Sequence, residues 1–97
     1  MSIDNPLVNR TDISRDHIMA EVKQIVAEYT MMAPDAIQSN HRLAEDLGCD
    51  SLDIVEITME IEEHFSISIP DELAEQAGTI YEITNGVIQL LAESAPN

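Results

Sequence analysis

Residues 47–57, LGCDSLDIVEI, lie near the middle of the chain and begin like the start of a helix. Asp50 and Ser51 are both residue types that accept hydrogen bonds from the free backbone N–H groups of a first helical turn, so either one can be the N-cap. The helix that follows extends to about Phe65 and contains more apolar side chains than one buried face uses. Two questions follow: what the additional apolar surface does, and whether Ser51 is only a cap.

The apolar residues of this helix divide into two stripes when they are placed at roughly 100° per residue. The wider stripe has the width of a core-facing side and consists of Ile54, Ile57, Thr58, Ile61 and Phe65. The second stripe consists of Leu52, Val55 and Met59, with Glu62 on one side and Glu56 and Glu63 on the other. Either the helix is buried on two sides, or the second stripe docks a partner. Because burial of unpaired carboxylates is costly, the pattern favours docking.

The rest of the chain predicts three further helices. The first covers about residues 15–30, capped by Ser14, and the short third one is DELAEQ, which follows Pro70. The fourth begins after its cap, Thr79, and contains Gly86, which costs about 1 kcal/mol relative to Ala. Helically spaced apolar residues give the two long helices their core stripes: Ile18, Val22, Ile25, Val26 and Tyr29 in the first, and Ile80, Ile83, Val87 and Leu91 in the fourth.

Two connections complete this pattern. Residues 31–49 form a long loop that needs inward-facing anchors, for which Ile37, Leu43 and Leu47 are the candidates. The segment SISIP, residues 66–70, alternates weakly but has no strand partner elsewhere, so it is predicted to be a linker. The predicted fold is all-α: a small four-helix bundle with three main helices, one short third helix and a long loop after the first. Residues 1–13 are predicted to be a flexible extension, and residues 14–94 the domain.

The strongest global signal is charge. The 97 residues include 19 acidic and four basic side chains, which gives a formal net charge of −15. Such a chain repels nucleic-acid backbones and anionic membranes, and it favours basic protein partners, although solubility alone could also explain the acids. Cys49 is the only cysteine, so no internal disulfide can form. Because no apolar run approaches the roughly 20 residues that cross a bilayer, we expect a cytoplasmic protein that does not span a membrane.

Ser51 lies where the free N–H groups and the dipole of the second helix favour an anion, so an attached phosphoester would be stabilised there. The sequence places no activating base near it: His41 and His64 are distant, and no nucleophile motif is present. Ser51 is therefore better explained as a hydroxyl that another enzyme modifies. No metal site is predicted, because the calcium-loop pattern and zinc-ligand spacings are both missing.

Two motifs resemble those of the acyl carrier proteins. EDLGCDSLDIVEI, residues 45–57, is similar to the attachment-site motif of that family, and EEHFSISIPDE, residues 62–72, is similar to the segment that joins its second and third helices. The resemblance covers about residues 18–91. It implies a carrier-type four-helix bundle, with no catalytic residue of its own, that encloses a fatty chain.

The resemblance also implies roles for particular residues. Ser51 would carry a covalent 4′-phosphopantetheine arm, with Asp50 and Leu52 beside it, and the arm would hold acyl groups as thioesters. One implied set of residues docks partner enzymes: Asp53, Val55, Glu56, Met59, Glu62 and Glu63. A second set lines the acyl pocket: Ile57, Ile61, Ile69, Ala74, Ala77 and Ile80. The partners would be a phosphopantetheinyl transferase and acyl-transferring and condensing enzymes with basic patches, and the chain would act as a monomer. One residue, Ser51, is expected to be both cap and attachment point.

Several alternatives are open at this level. A peptidyl or D-alanyl carrier would use the same fold and arm, whereas an unmodified acidic adaptor would use only the docking helix. Cys49 is either a small hydrophobic residue or a redox-sensitive thiol beside the prosthetic group. Ala77 either leaves extra room for a long or unusual acyl chain, or neighbours such as Leu73 and Ile80 repack to fill the space.

Overall fold

The elements follow the order that the sequence predicts. The structure is a computed structural model that describes residues 14–76 and 78–94, and these residues form four α-helices. The helices are α1 (Arg15–Thr30), α2 (Ser51–Phe65), α3 (Asp71–Gln76) and α4 (Ile80–Ser94), with a 3-10 helix at Pro34–Ala36 in the first loop. The described part of the chain contains no strand, only one isolated bridge between Arg42 and Thr79. The all-α prediction is confirmed, while the expected flexibility of residues 1–13 and the role of Ala77 lie outside the described residues.

Side-chain N-caps stabilise the first turns of α1 and α4. The hydroxyl of Ser14 accepts a hydrogen bond from the backbone N–H of His17, so the predicted cap of α1 is confirmed, and α1 ends at Met31 in the left-handed conformation. At α4 the hydroxyl of Thr79 accepts from the N–H of Glu82 at 3.0 Å, as predicted. These polar groups satisfy N–H groups that the first helical turn leaves free.

The core is aliphatic and forms where α1 packs against α4 and α2. The helical core residues that are buried are Ile18, Val22, Ile25, Val26, Ile57, Ile61, Ile80 and Val87. The remaining predicted stripe residues, such as Ile54 and Ile83, are half-buried and pack against this core. Thr84 is also fully buried, and its hydroxyl donates to the backbone oxygen of Ile80 at 2.8 Å, so no polar atom of that side chain is left unsatisfied.

Polar contacts join α1 to the helices around it. The hydroxyl of Tyr29 donates to the Glu60 carboxylate at 2.9 Å, and this hydrogen bond is the main cause that raises the pKa of Tyr29 to about 12. Arg15 donates to the side-chain oxygen of Asn85 and lies over the ring of Tyr81, 5.4 Å from its centre. The beginning of α1 is therefore attached to the first half of α4.

The long loop of residues 31–49 is ordered by two kinds of contact. Ile37 and Leu43 are buried and Leu47 is half-buried, so the three predicted anchors all contact the core. Backbone hydrogen bonds also join the loop to the start of α4: the N–H of Leu43 donates to the oxygen of Gly78, and the N–H of Ile80 donates to the oxygen of His41. These bonds fix residues 42–45 beside α2 and α3, where they form one wall of a groove.

The SISIP segment is a linker, as predicted, and it is held from α2. Ile67 is buried, and the N–H of Ile69 donates to the side-chain carboxylate of Glu62 at 2.7 Å. The oxygen of Pro70 then accepts from the N–H groups of Leu73 and Ala74, which begins α3. This anchored linker places α3 across the groove from the 42–45 segment.

Candidate functional site

The N-cap of α2 is Asp50 and not Ser51. The Asp50 carboxylate accepts from the N–H of Asp53 at 2.8 Å, and the Asp53 carboxylate accepts from the N–H of Asp50 at 3.2 Å. This reciprocal pair is a capping box. The expectation that Ser51 is both cap and attachment point is therefore wrong about the cap, because the neighbouring carboxylate already satisfies the free N–H group.

The Ser51 side chain is consequently available. Ser51 is the first residue of α2 and is exposed, and its hydroxyl makes no hydrogen bond with any other described residue. It lies on an open groove of about 680 Å³. The groove has walls from three parts of the chain: residues 42–45, the Ser51-to-Glu62 part of α2, and the region of Ile69, α3 and Gly78. Ser51 thus has an accessible oxygen atom on a partly apolar groove.

A small, partly open cavity of about 40 Å³ lies next to this groove. Five residues line both spaces and form the wall between them: Leu43, Ile54, Thr58, Ile69 and Ala74. The far side of the cavity is formed by α2, Leu73 and α4. Apart from the Thr58 hydroxyl, which donates to the backbone oxygen of Ile54 at 2.8 Å, the side chains that line the cavity are apolar.

The predicted pocket residues are distributed unevenly around this cavity. Ile57, Ile61, Ile69 and Ala74 line it, whereas Ile80 is fully buried but does not line it. Eight lining residues were not among the predicted pocket residues: Leu43, Ile54, Thr58, Leu73, Ile83, Gly86, Val87 and Leu90. The helical wheel had placed Thr58 on the core face, so that signal was present. Gly86 could not be found by a search for apolar side chains, because it has none.

The second stripe of α2 is exposed. Leu52, Val55 and Met59 have exposed fractions of 64%, 53% and 55%. The alternative in which α2 is buried on two sides is therefore wrong. Large apolar residues on one exposed helix face, with carboxylates beside them, form a surface that a partner can cover. We call Leu52, Val55 and Met59 the apolar strip.

The acidic residues predicted for docking fall into two groups. The carboxylates of Asp53 and Glu62 already accept backbone hydrogen bonds, from Asp50 and Ile69 respectively. Glu56 and Glu63 are exposed and make no hydrogen bond or ion pair within the described residues. Only these two carboxylates of the predicted set are therefore free to bind a cation without breaking an intramolecular bond.

Cys49 is a buried residue beside this site. Its side chain is part of the hydrophobic core with an exposed fraction of 5%, and its N–H donates to the oxygen of Leu43 at 2.8 Å. Burial raises the pKa of the thiol, and the charges of Asp53 and Asp50 raise it further. A protonated, buried thiol is a poor nucleophile, so the geometry favours the small hydrophobic residue over the redox-sensitive thiol.

Two other classes of site are not found within the described ranges. Over residues 14–76 and 78–94, no group of three or more His, Cys, Asp or Glu side chains is placed to hold a metal ion. Within the same ranges, no helix has the length and apolar character needed to cross a membrane.

The site fits a phosphoester-linked arm on three observations. The Ser51 oxygen is exposed and unbonded, it lies at the N-terminal end of a helix where an anion is stabilised, and an open groove runs from it along α2.

Comparison with known proteins finds relatives over most of this chain. The family model for the phosphopantetheine attachment site matches residues 20–87. The acyl carrier protein of Campylobacter fetus subsp. fetus is 44% identical over 68 residues, which cover 70% of this chain and 88% of that protein. The acyl carrier protein of Campylobacter hominis is 41% identical over 73 residues, which cover 75% of this chain and 92% of that protein.

A solved structure shares the fold. It is that of an acyl carrier protein from Enterococcus faecalis, described for novel structural components that contribute to its high thermal stability. The two superpose with a TM-score of 0.69 at 23% sequence identity, over 80% of this chain and 99% of that one.

The helical bundle and the matched attachment site define a carrier domain for a phosphopantetheine arm. The chain belongs to the acyl carrier protein family. Its function is that of an acyl carrier with a covalently attached 4′-phosphopantetheine, and the peptidyl-carrier and adaptor alternatives are not favoured. Membership of this family makes the chain a carrier that interacts with partner enzymes and a phosphopantetheinyl transferase.

Proposed function

We propose that Ser51 is the attachment point of the phosphopantetheine arm and that residues 14–94 are the carrier domain. The observation that supports this most directly is the exposed, unbonded Ser51 hydroxyl on the groove, in a helix whose cap is supplied by Asp50. When it is attached, the arm supplies a thiol that holds an acyl group as a thioester. The chain then delivers acyl intermediates to enzymes of fatty-acid, polyketide or specialised lipid biosynthesis.

The chain supplies position and charge to this process, and other proteins supply the catalysis. No neighbouring side chain acts as a general base on the Ser51 hydroxyl. The carboxylates of Asp50 and Asp53 instead accept hydrogen bonds from backbone N–H groups, and the side chain of Leu52 is apolar. A phosphopantetheinyl transferase must therefore remove the Ser51 proton so that the oxygen attacks the pantetheine-bearing phosphate of coenzyme A. The new phosphodiester bond forms as the pyrophosphate bond of coenzyme A breaks and adenosine bisphosphate leaves. A long flexible arm raises the effective concentration of the acyl group at each docked enzyme. A protein without catalytic residues can accelerate delivery in this way.

The apolar strip, together with Glu56 and Glu63, is the proposed docking surface for those enzymes. Apolar side chains supply the contact area, and the two free carboxylates bind basic residues of the partner. The net charge of −15 steers the whole molecule towards cationic surfaces. We further propose that the chain acts as a monomer in the cytoplasm. Its single cysteine is free and buried, so it is not placed to link two chains by a disulfide, which fits a reducing compartment.

Attachment at Ser51 is tested by mass spectrometry. Wild type, Ser51→Ala and Ser68→Ala are incubated with a phosphopantetheinyl transferase and coenzyme A. Ser68 is an exposed serine of the linker and does not line the groove, so it is the matched control. We expect wild type and Ser68→Ala to gain the mass of one phosphopantetheine and Ser51→Ala to gain none. A modified Ser51→Ala protein would contradict the proposal.

The docking surface is tested with charge reversals. The double variant Glu56→Lys, Glu63→Lys is compared with Asp35→Lys, which changes an exposed acid of the first loop outside the groove. With a phosphopantetheinyl transferase as partner, we expect the double variant to lose kcat/KM by roughly tenfold at low salt, because charges at the edge of an interface act mainly on the association rate. The double variant makes two charge reversals and Asp35→Lys makes one, so a loss per reversal, on a logarithmic scale, that is the same in both would show that only net charge matters.

A further inference from the structure

Gly86 lies in the middle of α4, where glycine weakens a helix relative to alanine. Its backbone does not require glycine: among the described glycines only Gly48 has a positive φ. A β-carbon placed on Gly86 would meet no atom within 4 Å, so no close approach of another segment requires it either. Neither the conformation nor the packing of the protein explains the residue.

Gly86 lies at the wall of the small cavity next to the groove. Ile83, Val87 and Leu90 line the cavity together with Gly86. The four residues have the spacing i, i+3, i+4 and i+7, which places them on one face of α4. Three of them carry large aliphatic side chains towards that face, and the fourth carries none. The result is open space beside the backbone of α4 at the cavity wall.

The cavity lies on a route from Ser51 to that space. The groove that carries Ser51 and the cavity share the wall formed by Leu43, Ile54, Thr58, Ile69 and Ala74, and α4 closes the opposite side. The cavity itself, at about 40 Å³, is little larger than the volume of one water molecule, so an alkyl chain can enter only if the wall residues move. Beyond the wall residues, an alkyl chain that reaches α4 meets a protein side chain everywhere on this helix face except at Gly86.

We propose that Gly86 sets the depth of the acyl site and thereby selects long acyl chains as the preferred cargo. The methyl end of such a chain passes the shared wall and ends against the bare backbone at Gly86. A side chain at this position would occupy the space and stop the chain earlier. This inference rests on the proposed attachment of the arm to Ser51.

The test measures how stability depends on acyl length. Each protein is loaded at Ser51 with straight acyl chains of increasing length, loading is verified by intact mass, and Tm is measured for every species. The variants are Gly86→Ala and Gly86→Leu. The matched control is Gln89→Leu, which adds the same side chain to the same helix at an exposed position that does not line the cavity.

For wild type and Gln89→Leu, we expect Tm to rise by several degrees with each added pair of carbons until long chains are reached, because each buried methylene removes apolar surface from water. For Gly86→Leu, we expect the rise to stop at a shorter chain. Gly86→Ala should show a smaller shift in the same direction, so the conclusion does not depend on whether Gly86→Leu folds. Without an acyl chain, Gly86→Ala should melt at the same or a higher temperature than wild type, since alanine favours the helix and has room.

Parallel curves for wild type and both Gly86 variants, with loading verified by mass, would overturn the inference and leave the proposed function intact. Failure of wild type to acquire any arm at Ser51 would overturn the proposed function, and the inference with it. A curve for Gln89→Leu that is truncated like that of Gly86→Leu would also overturn the inference, because the effect would then belong to any leucine on α4.

Discussion

At the residue scale, the start of α2 assigns two tasks to two neighbouring side chains. Asp50 accepts the hydrogen bond of the first turn, and Ser51 keeps its hydroxyl exposed. A serine that capped the helix would have its oxygen engaged with a backbone N–H group, and modification would have to break that bond. Because the carboxylate is the cap, the helix is stable whether or not Ser51 is modified.

This assignment predicts different costs for neighbouring substitutions. Asp50→Ala should lower the free energy of unfolding by about 1 kcal/mol, because it removes the N-cap. Ser51→Ala should change it by less than about 0.5 kcal/mol, as expected for an exposed side chain without partners. Urea denaturation of the unmodified proteins measures both values. Asp50→Asn is the control, since asparagine caps as well as aspartate. A larger loss for Ser51→Ala than for Asp50→Ala would show that Ser51 is the cap.

Burial of Cys49 predicts low thiol reactivity. In the Ser51→Ala protein, Cys49 is the only thiol, because no arm can be attached there. Its pKa is raised by burial, so little thiolate forms at neutral pH. We expect the native protein to react with an aromatic disulfide reagent at least roughly tenfold more slowly than the same protein in urea. Equal rates in the two states would support the redox-sensitive thiol.

At the element scale, the beginning of α4 organises the region between the groove and the core. The Glu82 carboxylate accepts from the N–H groups of Gly78 and Thr79, at 2.8 and 3.1 Å, while the Thr79 hydroxyl accepts from the N–H of Glu82. The same segment is bonded to the long loop through Leu43 and Ile80. One carboxylate therefore stabilises a helix end, a turn and, through them, the position of the loop that forms a groove wall.

The charge of Glu82 predicts a dependence of stability on pH. The hydrogen bonds from Gly78 and Thr79 lower the pKa of this carboxyl in the folded protein, below its ordinary value of 4.5. The stabilisation is therefore complete above that ordinary value and is lost as the pH falls through the lower, folded value. Urea denaturation from neutral to acid pH should show a weaker acid-induced loss for Glu82→Gln than for wild type.

Glu93→Gln is the control for this measurement. Glu93 is an exposed carboxylate of the same helix and bonds only to the side chain of Gln89 among the described residues. Its substitution should leave the acid-induced loss close to that of wild type. If Glu82→Gln and Glu93→Gln had the same pH profile, the capping bonds of Glu82 would not be the cause.

At the scale of the whole molecule, the net charge acts on the folding of the chain as well as on its encounters. The 97 residues include nineteen acids and only four bases, so the acidic side chains repel one another in the compact state. Few ion pairs offset this repulsion within the described residues. One of them joins the exposed side chains of Arg42 and Glu45 at 3.5 Å. The field that attracts a basic partner therefore also destabilises the free carrier.

This repulsion predicts that salt stabilises the protein. Raising sodium chloride from about 0.01 M to about 1 M shortens the screening length from about 30 Å to about 3 Å. Tm should rise by several degrees, while kcat/KM with a basic partner enzyme should fall over the same range. Chloride is chosen because sulfate strengthens apolar burial by itself. An unchanged Tm would show that the acids are too far apart in the folded state to repel measurably.

Local patterns in the sequence predict the helices and both apolar faces of α2. The spacing of apolar residues gives α1, α2 and α4, and Pro70 and Thr79 mark the starts of α3 and α4. The wheel of α2 separates the core face from the apolar strip, since both belong to one helix whose geometry is known in advance. Motif resemblance then singles out Ser51 and names the family.

Tertiary structure alone decides the contacts between segments that are distant in the sequence. That Gly86 lines a cavity while Ile80 does not depends on how the helices and the long loop pack. The Asp50 cap and the bond from Ile69 to Glu62 are contacts at short range in the sequence, which the spacing of apolar residues does not predict. Sequence reasoning names the side chains that could line a pocket, but it cannot find space left by a side chain that is missing. A helix has the same period wherever it lies, whereas a cavity exists only between elements whose packing sets its shape.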